Sequence, residues 1–170
     1  MGDTRHSAQG QAVYTIGVYG FRPERFFEAL ESAGVRTFCD LRARRGVRGS
    51  EYAFANATRL QAELANRHIA YVHLLPLAPS NAIRQSQYAA DKETHTAKRQ
   101  RSELSAAFAD AYRSAVLASL DPAWFLEQLG PDPWPIALFC VEREPAACHR
   151  SLIAGFLRDR IGAHIHHLLP

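Results

Sequence analysis

Residues 136–158 read IALFCVEREPAACHRSLIAGFLR. The stretch opens on an unbroken apolar run, Ile136 to Val141, with the length and composition of a buried strand. It closes on Leu152, Ile153, Phe156 and Leu157, whose spacing sets them on one face of a helix. Between the two lie Cys140, Glu142, Arg143, Glu144, Cys148, His149 and Arg150. A strand that feeds a polar loop and then a helix is where α/β sheets bind ligands. The free N–H groups and the dipole at a helix start favour negative charge beyond the strand ends.

Reading outward, the same alternation recurs. Residues 12–18 (AVYTIGV) read as a first strand, punctuated by Gly17 and Gly20. Pro23 suits a first helical position, Phe26, Phe27 and Leu30 form the apolar stripe, and Gly34 supplies the stop. Residues 35–41 (VRTFCDL) give a second strand, and a βαβ start calls for a parallel pair with a right-handed crossover. Thr58 is the expected cap of a helix over 59–67, and 69–75 (IAYVHLL) is a third strand closed by Pro76 and Pro79. The pattern then weakens: 81–90 suits a short helix, and 91–101 is a polar, charged segment. Leu104, Phe108, Ala111, Tyr112 and Ala115 mark a firmer helix, and Asp121-Pro122 reads as the cap and first turn of another. Gly162 stops the last helix before a final strand over 163–169. Strands alternating with helices predict a three-layer α/β/α sandwich with a mostly parallel, Rossmann-like sheet of about five strands. In such a sheet the loops 17–20, 40–48 and 140–150 meet at one edge. Gly17 and Gly20 do not form a Rossmann fingerprint, so no dinucleotide and no other cofactor is expected.

Hydrophobic residues make up 47% of the 170-residue chain and charged residues 22%, an ordinary globular balance. The length suits one domain, 12–170, after a polar leader over 1–11. A net charge of +3 and a pI of about 8.9 are compatible with an anionic small molecule or nucleic acid as partner and require neither. Three cysteines form no disulfide framework, so reduced thiols and a cytoplasmic setting are expected. The leader holds no signal-peptide core, and no apolar run is long enough to span a membrane.

Thr15-Ile16-Gly17, Asp40-Leu41-Arg42, Tyr71-Val72-His73-Leu74 and Cys140-x-Glu142-x-x-Pro145-x-x-Cys148-His149-Arg150-Ser151 together resemble domain-of-unknown-function family 488. The last string is the specific one. The resemblance runs from about Tyr14 to the end of the chain. It implies a small α/β domain with a polar pocket built from these motifs, and it implies no assigned activity. Two positions depart from the pattern: Val18 and then Tyr19 follow Gly17 where a histidine is common, and Ala78-Pro79 replaces a frequent Gly-Gly.

Four residues are candidates for catalysis. Cys148, near a helix start and beside cationic side chains, is either a nucleophile with a depressed thiol pKa or a packed structural cysteine. His149 is expected to serve a ligand or a carboxylate. Successive helical residues diverge by a quarter-turn or more, which argues against a pair with Cys148. Asp40 and Glu142 are either general acid and base or partners that hold Arg42 and Arg150 in ion pairs. For the ligand, Arg42, Arg45, Arg48 and Arg150 are expected phosphate contacts. Gly17 allows close backbone approach, and Tyr19 stands next to it. Cys140, Cys148 and His149 invite a metal, but their spacing fits no common zinc pattern and no metal is expected. The sequence therefore points to a small enzyme acting on a nucleotide or nucleic acid, a hydrolase among the options. The alternative is a non-catalytic nucleic-acid-binding module that uses the arginine-rich loop and segment 91–101.

Overall fold

The computed structural model describes residues 11–170, so the expected leader lies outside the described residues apart from Gln11. Five parallel strands form one sheet: β1 (Ala12–Ile16), β2 (Thr37–Asp40), β3 (Ala70–His73), β4 (Ile136–Phe139) and β5 (His164–Leu168), in the order β3-β2-β4-β1-β5. Every residue of β4 is buried, as its unbroken apolar run requires of a central strand. Ile136 and Leu138 face one core and Ala137 and Phe139 the other.

The helices cover both faces, giving the expected three layers. On one side α1 (Pro23–Ser32) and α2 (Ala57–Asn66) bury Phe26, Phe27, Leu30, Leu60 and Leu64. Phe26 anchors that layer, with ring centroids 5.3–6.2 Å from Phe27, Phe38, Phe54 and Phe139. The opposite layer holds α3 (Asn81–Glu93), α4 (Ala106–Ala115), α5 (Pro122–Leu129) and α6 (His149–Ile161). It buries Ile83, Phe108, Tyr112, Phe125, Leu129, Ile153 and Leu157. Capping follows the chemistry of the ends: Ser80, Ser105 and Asp121 accept from the first turns of α3, α4 and α5, and Gly162 ends α6 in the left-handed region. Among the described residues no helix is long and apolar enough to cross a membrane.

Two local expectations are corrected. Helix α2 begins after Asn56, not at Thr58, and the Asn56 side chain accepts from the Val47 backbone N–H at 2.7 Å, tying the loop to the helix start. The helix expected over 81–90 runs on into segment 91–101, which is folded against the body. Helix α3 continues to Glu93, a 3-10 turn covers Lys98–Gln100, and buried Arg101 pairs with Asp91.

Candidate active site

Because β4 inserts between β1 and β2, the tips of all three strands are neighbours. Backbone bonds join them: Val18 and Tyr19 N–H both donate to Val141 O at 3.1 Å, and Leu41 N–H donates to Phe139 O at 3.0 Å. Gly17 lies so close to this loop that an added Cβ would stand 1.8 Å from the Glu142 carbonyl oxygen. The loops 17–20, 40–48 and 140–150 thus meet at the sheet edge.

Cys148 occupies the N-cap of α6 in extended backbone (φ −141°, ψ 143°), after a 3-10 turn over Pro145–Ala147. Its Sγ is 3.7 Å from Nδ1 of His149, whose Nε2 lies 3.2 Å from Leu41 O. Because Leu41 O can only accept, Nε2 carries the hydrogen and Nδ1 faces the sulfur. This corrects the expectation that neighbouring residues would diverge: Cys148 precedes the helix, so the helical stagger does not apply to it.

Burial alone would raise the Cys148 thiol. The Cys140 thiol beside it, together with the charges of His149 and Arg150, overcomes this and holds Cys148 well below its ordinary pKa. Cys140 is pushed well above its own, first by hydrogen bonding to Cys148 and then by burial. The two sulfurs and a nitrogen of His149 lie within 4.8 Å of one another, which is also a compact soft donor set for a metal.

Arg150 is completely buried. Nη1 donates to Glu142 O at 2.5 Å and Nη2 to Arg143 O at 2.9 Å, so the side chain pins the loop backbone rather than a carboxylate. Among the described residues no carboxylate stands within ion-pair distance of it, and its charge helps hold the Cys148 thiol down.

Asp40 and Arg42 are spent on one another. Arg42 donates from Nε to Oδ1 at 2.9 Å and from Nη2 to Oδ2 at 2.7 Å, and its Nη1 reaches Ala55 O at 2.9 Å. The Tyr71 hydroxyl adds a 2.7 Å bond to Asp40 Oδ2. Both residues are buried, with the Arg42 guanidinium 4.6 Å above the Phe139 ring. Arg45 does not line the cleft described next, and lies beside the Tyr71 hydroxyl instead.

Glu142 is buried but loosely held. Its Oε1 is 3.6 Å from both Lys98 Nζ and Arg101 Nη1. Burial, and then the charge of Cys148, push the carboxyl up to about 7, against the pull of those two cations.

Cys140, Glu142, Cys148 and His149 open onto a cavity of about 630 Å³. Arg44 and Arg48, with Tyr19, form a wall contributed by the strand-tip loops, and Arg84, Lys98, Arg99 and Arg101 a second wall contributed by α3 and the segment after it; Glu142 is the one acid among the lining residues. Arg99 joins the walls. It stacks 5.0 Å from the Tyr19 ring and 5.3 Å from Tyr52, and donates to Arg48 O at 3.3 Å. Of the anion contacts expected from sequence, Arg48, Tyr19 and the edge of Arg42 reach this cavity. The cations of the second wall are not among the residues that the sequence marks as a site. The signal for Lys98, Arg99 and Arg101 is the charge of segment 91–101; Arg84, on α3, carries none.

The sequence matches the family described as domain of unknown function DUF488 over residues 22–157, most of the chain. No curated protein and no solved structure matches it.

Proposed function

The chain belongs to the DUF488 family, and from that premise and the chemistry of the cleft we propose that it is an enzyme acting on a phosphate-bearing ligand, with Cys148 as nucleophile. The observation that carries the reading is the Cys148 sulfur in the lining of a cationic cavity, 3.7 Å from His149 Nδ1 and sharing that lining with its one acid, Glu142. A phosphate group entering between Arg44 and Arg48 on one side and Lys98 and Arg101 on the other meets charge and donors from both walls. The Cys148 thiolate attacks phosphorus as the bond to the leaving oxygen breaks, and Glu142, protonated, gives that oxygen its proton. Glu142 as carboxylate then takes a proton from water, whose oxygen displaces the thiolate. Arg150 steadies the anionic sulfur and the loop that carries Glu142. Asp40 and Arg42 act through the scaffold.

Turnover of a panel of phosphomonoesters, phosphodiesters and nucleotides tests this. Cys148→Ser and Glu142→Gln each should lose about 10²-fold or more in kcat with the fold retained by circular dichroism, the range expected of a positioned acid or nucleophile. Wild-type turnover should fall as pH rises through about 7, where Glu142 loses the proton it donates. Absence of turnover, with no protection of Cys148 from iodoacetamide by phosphate or nucleotides, sinks the reading.

A second reading, a non-catalytic nucleic-acid module, is favoured by Arg99 stacked on Tyr19 and Tyr52 across both walls. Basic groups interleaved with aromatics suit a strand with stacked bases. Oligonucleotide binding that weakens steeply with salt, survives Cys148→Ser and accompanies no turnover would select it.

A further inference from the structure

The odd number of cysteines divides into one and two. Cys39 points into the core among Val13, Leu138 and Leu157, away from the cleft, and burial pushes its thiol far up. Cys140 and Cys148 both line the cavity, at 8% and 2% exposure. They come from different places in the chain, just past the end of β4 and at the N-cap of α6, yet their sulfurs lie within 4.8 Å of each other and of a His149 ring nitrogen.

We propose that Cys148 and Cys140 form a dithiol that a hydroperoxide oxidises to a reversible disulfide. This rests on the same Cys148 nucleophile as the reading above and gives it a second electrophile. The Cys148 thiolate attacks one peroxide oxygen: an S–O bond forms, the O–O bond breaks, and the alcohol or water leaves with a proton. Sulfur is oxidised to the sulfenic acid and the peroxide is reduced. Cys140 sulfur then attacks the sulfenic sulfur; an S–S bond forms, the S–O bond breaks, and the oxygen leaves as water with the Cys140 proton. In sum two thiols and one hydroperoxide give one disulfide, one alcohol and one water.

Three features favour the closing step. The sulfurs must approach by on the order of 2–3 Å to reach the ~2.05 Å bond. Cys148 stands in extended backbone ahead of the first helical turn, so the 145–147 turn can yield without unwinding α6. The cavity beside both sulfurs admits a small peroxide, and little else in the chain competes, since Cys39 is sealed in the core. The disulfide consumes the nucleophile, so oxidation would silence the cleft until a thiol reductant restores it.

The test treats the reduced full-length chain with stoichiometric hydrogen peroxide, blocks free thiols with N-ethylmaleimide, and reads intact and peptide masses. The expected result is loss of two hydrogens, joined tryptic peptides carrying Cys140 and Cys148, a free Cys39, and reversal by dithiothreitol. Cys140→Ser should stop at a Cys148 sulfenic acid that dimedone traps, and Cys148→Ser should leave Cys140 reduced. Circular dichroism confirms that both variants fold. A disulfide through Cys39 overturns the proposal. So does a wild-type Cys148 that iodoacetamide alkylates readily but that yields sulfenic acid without a cross-link; the proposed function survives that outcome. A Cys148 that neither reagent touches overturns both.

Discussion

Asp40 and Glu142 stand at the tips of adjacent strands, and both are almost wholly out of solvent, at 0% and 5% exposure. Their surroundings differ in everything else. Asp40 accepts four hydrogen bonds, from the Arg42 backbone N–H, Arg42 Nε, Arg42 Nη2 and the Tyr71 hydroxyl. Glu142 has two cations, each at 3.6 Å and beyond hydrogen-bond length, and an anionic sulfur nearby. The comparison teaches that burial alone does not make a carboxylate structural or reactive. Satisfied lone pairs turn it into a brace; unsatisfied ones leave its proton available to the cleft.

The sharpest way to break the contrast is to remove the brace. Asp40→Ala leaves a buried guanidinium unpaired and should cost about 3–5 kcal/mol in urea denaturation. If the variant keeps wild-type stability but loses turnover, Asp40 belongs to the chemistry and the contrast collapses. The next effect concerns Glu142. Its folded pKa of about 7 lies above the ordinary 4.5, so the fold favours the protonated form. That stability is full below pH 4.5 and is lost as pH rises through about 7. Glu142→Gln should therefore gain roughly 3 kcal/mol relative to wild type across that window. A difference that stays flat with pH would make Glu142 an ordinary surface-like acid. The smallest effect should come from Tyr71→Phe, which removes one of four donors to Asp40. A loss of about 1.5 kcal/mol with unchanged turnover is expected from thermal melts. A large kinetic defect there would mean that the brace reaches into the reaction.

The fold was legible because each strand and helix carries its own period. The run 136–141, the stripe of Phe26, Phe27 and Leu30, and the stops at Gly34 and Gly162 are local signals, and the parallel crossover rule orders the strand tips. The meeting of the three loops follows from that order alone. The second wall was not legible for a physical reason. Lys98 and Arg99 sit in a polar turn that lines the cleft and carries no hydrophobic period, and Arg84 lies on α3, whose period marks only its buried side. The burial of Arg101 and Gln87 depends on partners distant in sequence, Glu142 and the Ser105 backbone. The arginines show a different limit. Arg42 and Arg150 read from sequence like anion clamps, but a guanidinium that grips a carboxylate or backbone carbonyls has the same letter as one that grips phosphate. The Cys148–His149 pair is hidden in the sequence because α6 begins at His149, which leaves Cys148 just outside the helical stagger.

Position 17 has a consequence for how the site behaves mechanically. Where Gly17 passes Glu142, main chain rests on main chain, with no side chain between them to change rotamer. The separation of the first and fourth strand tips is therefore set by two peptide units, as rigid a spacer as a protein possesses. Even an alanine would act there as a wedge. It would drive the Glu142 loop off its seat and take the carboxylate with it, a mechanical injury that an assay would record as a chemical one.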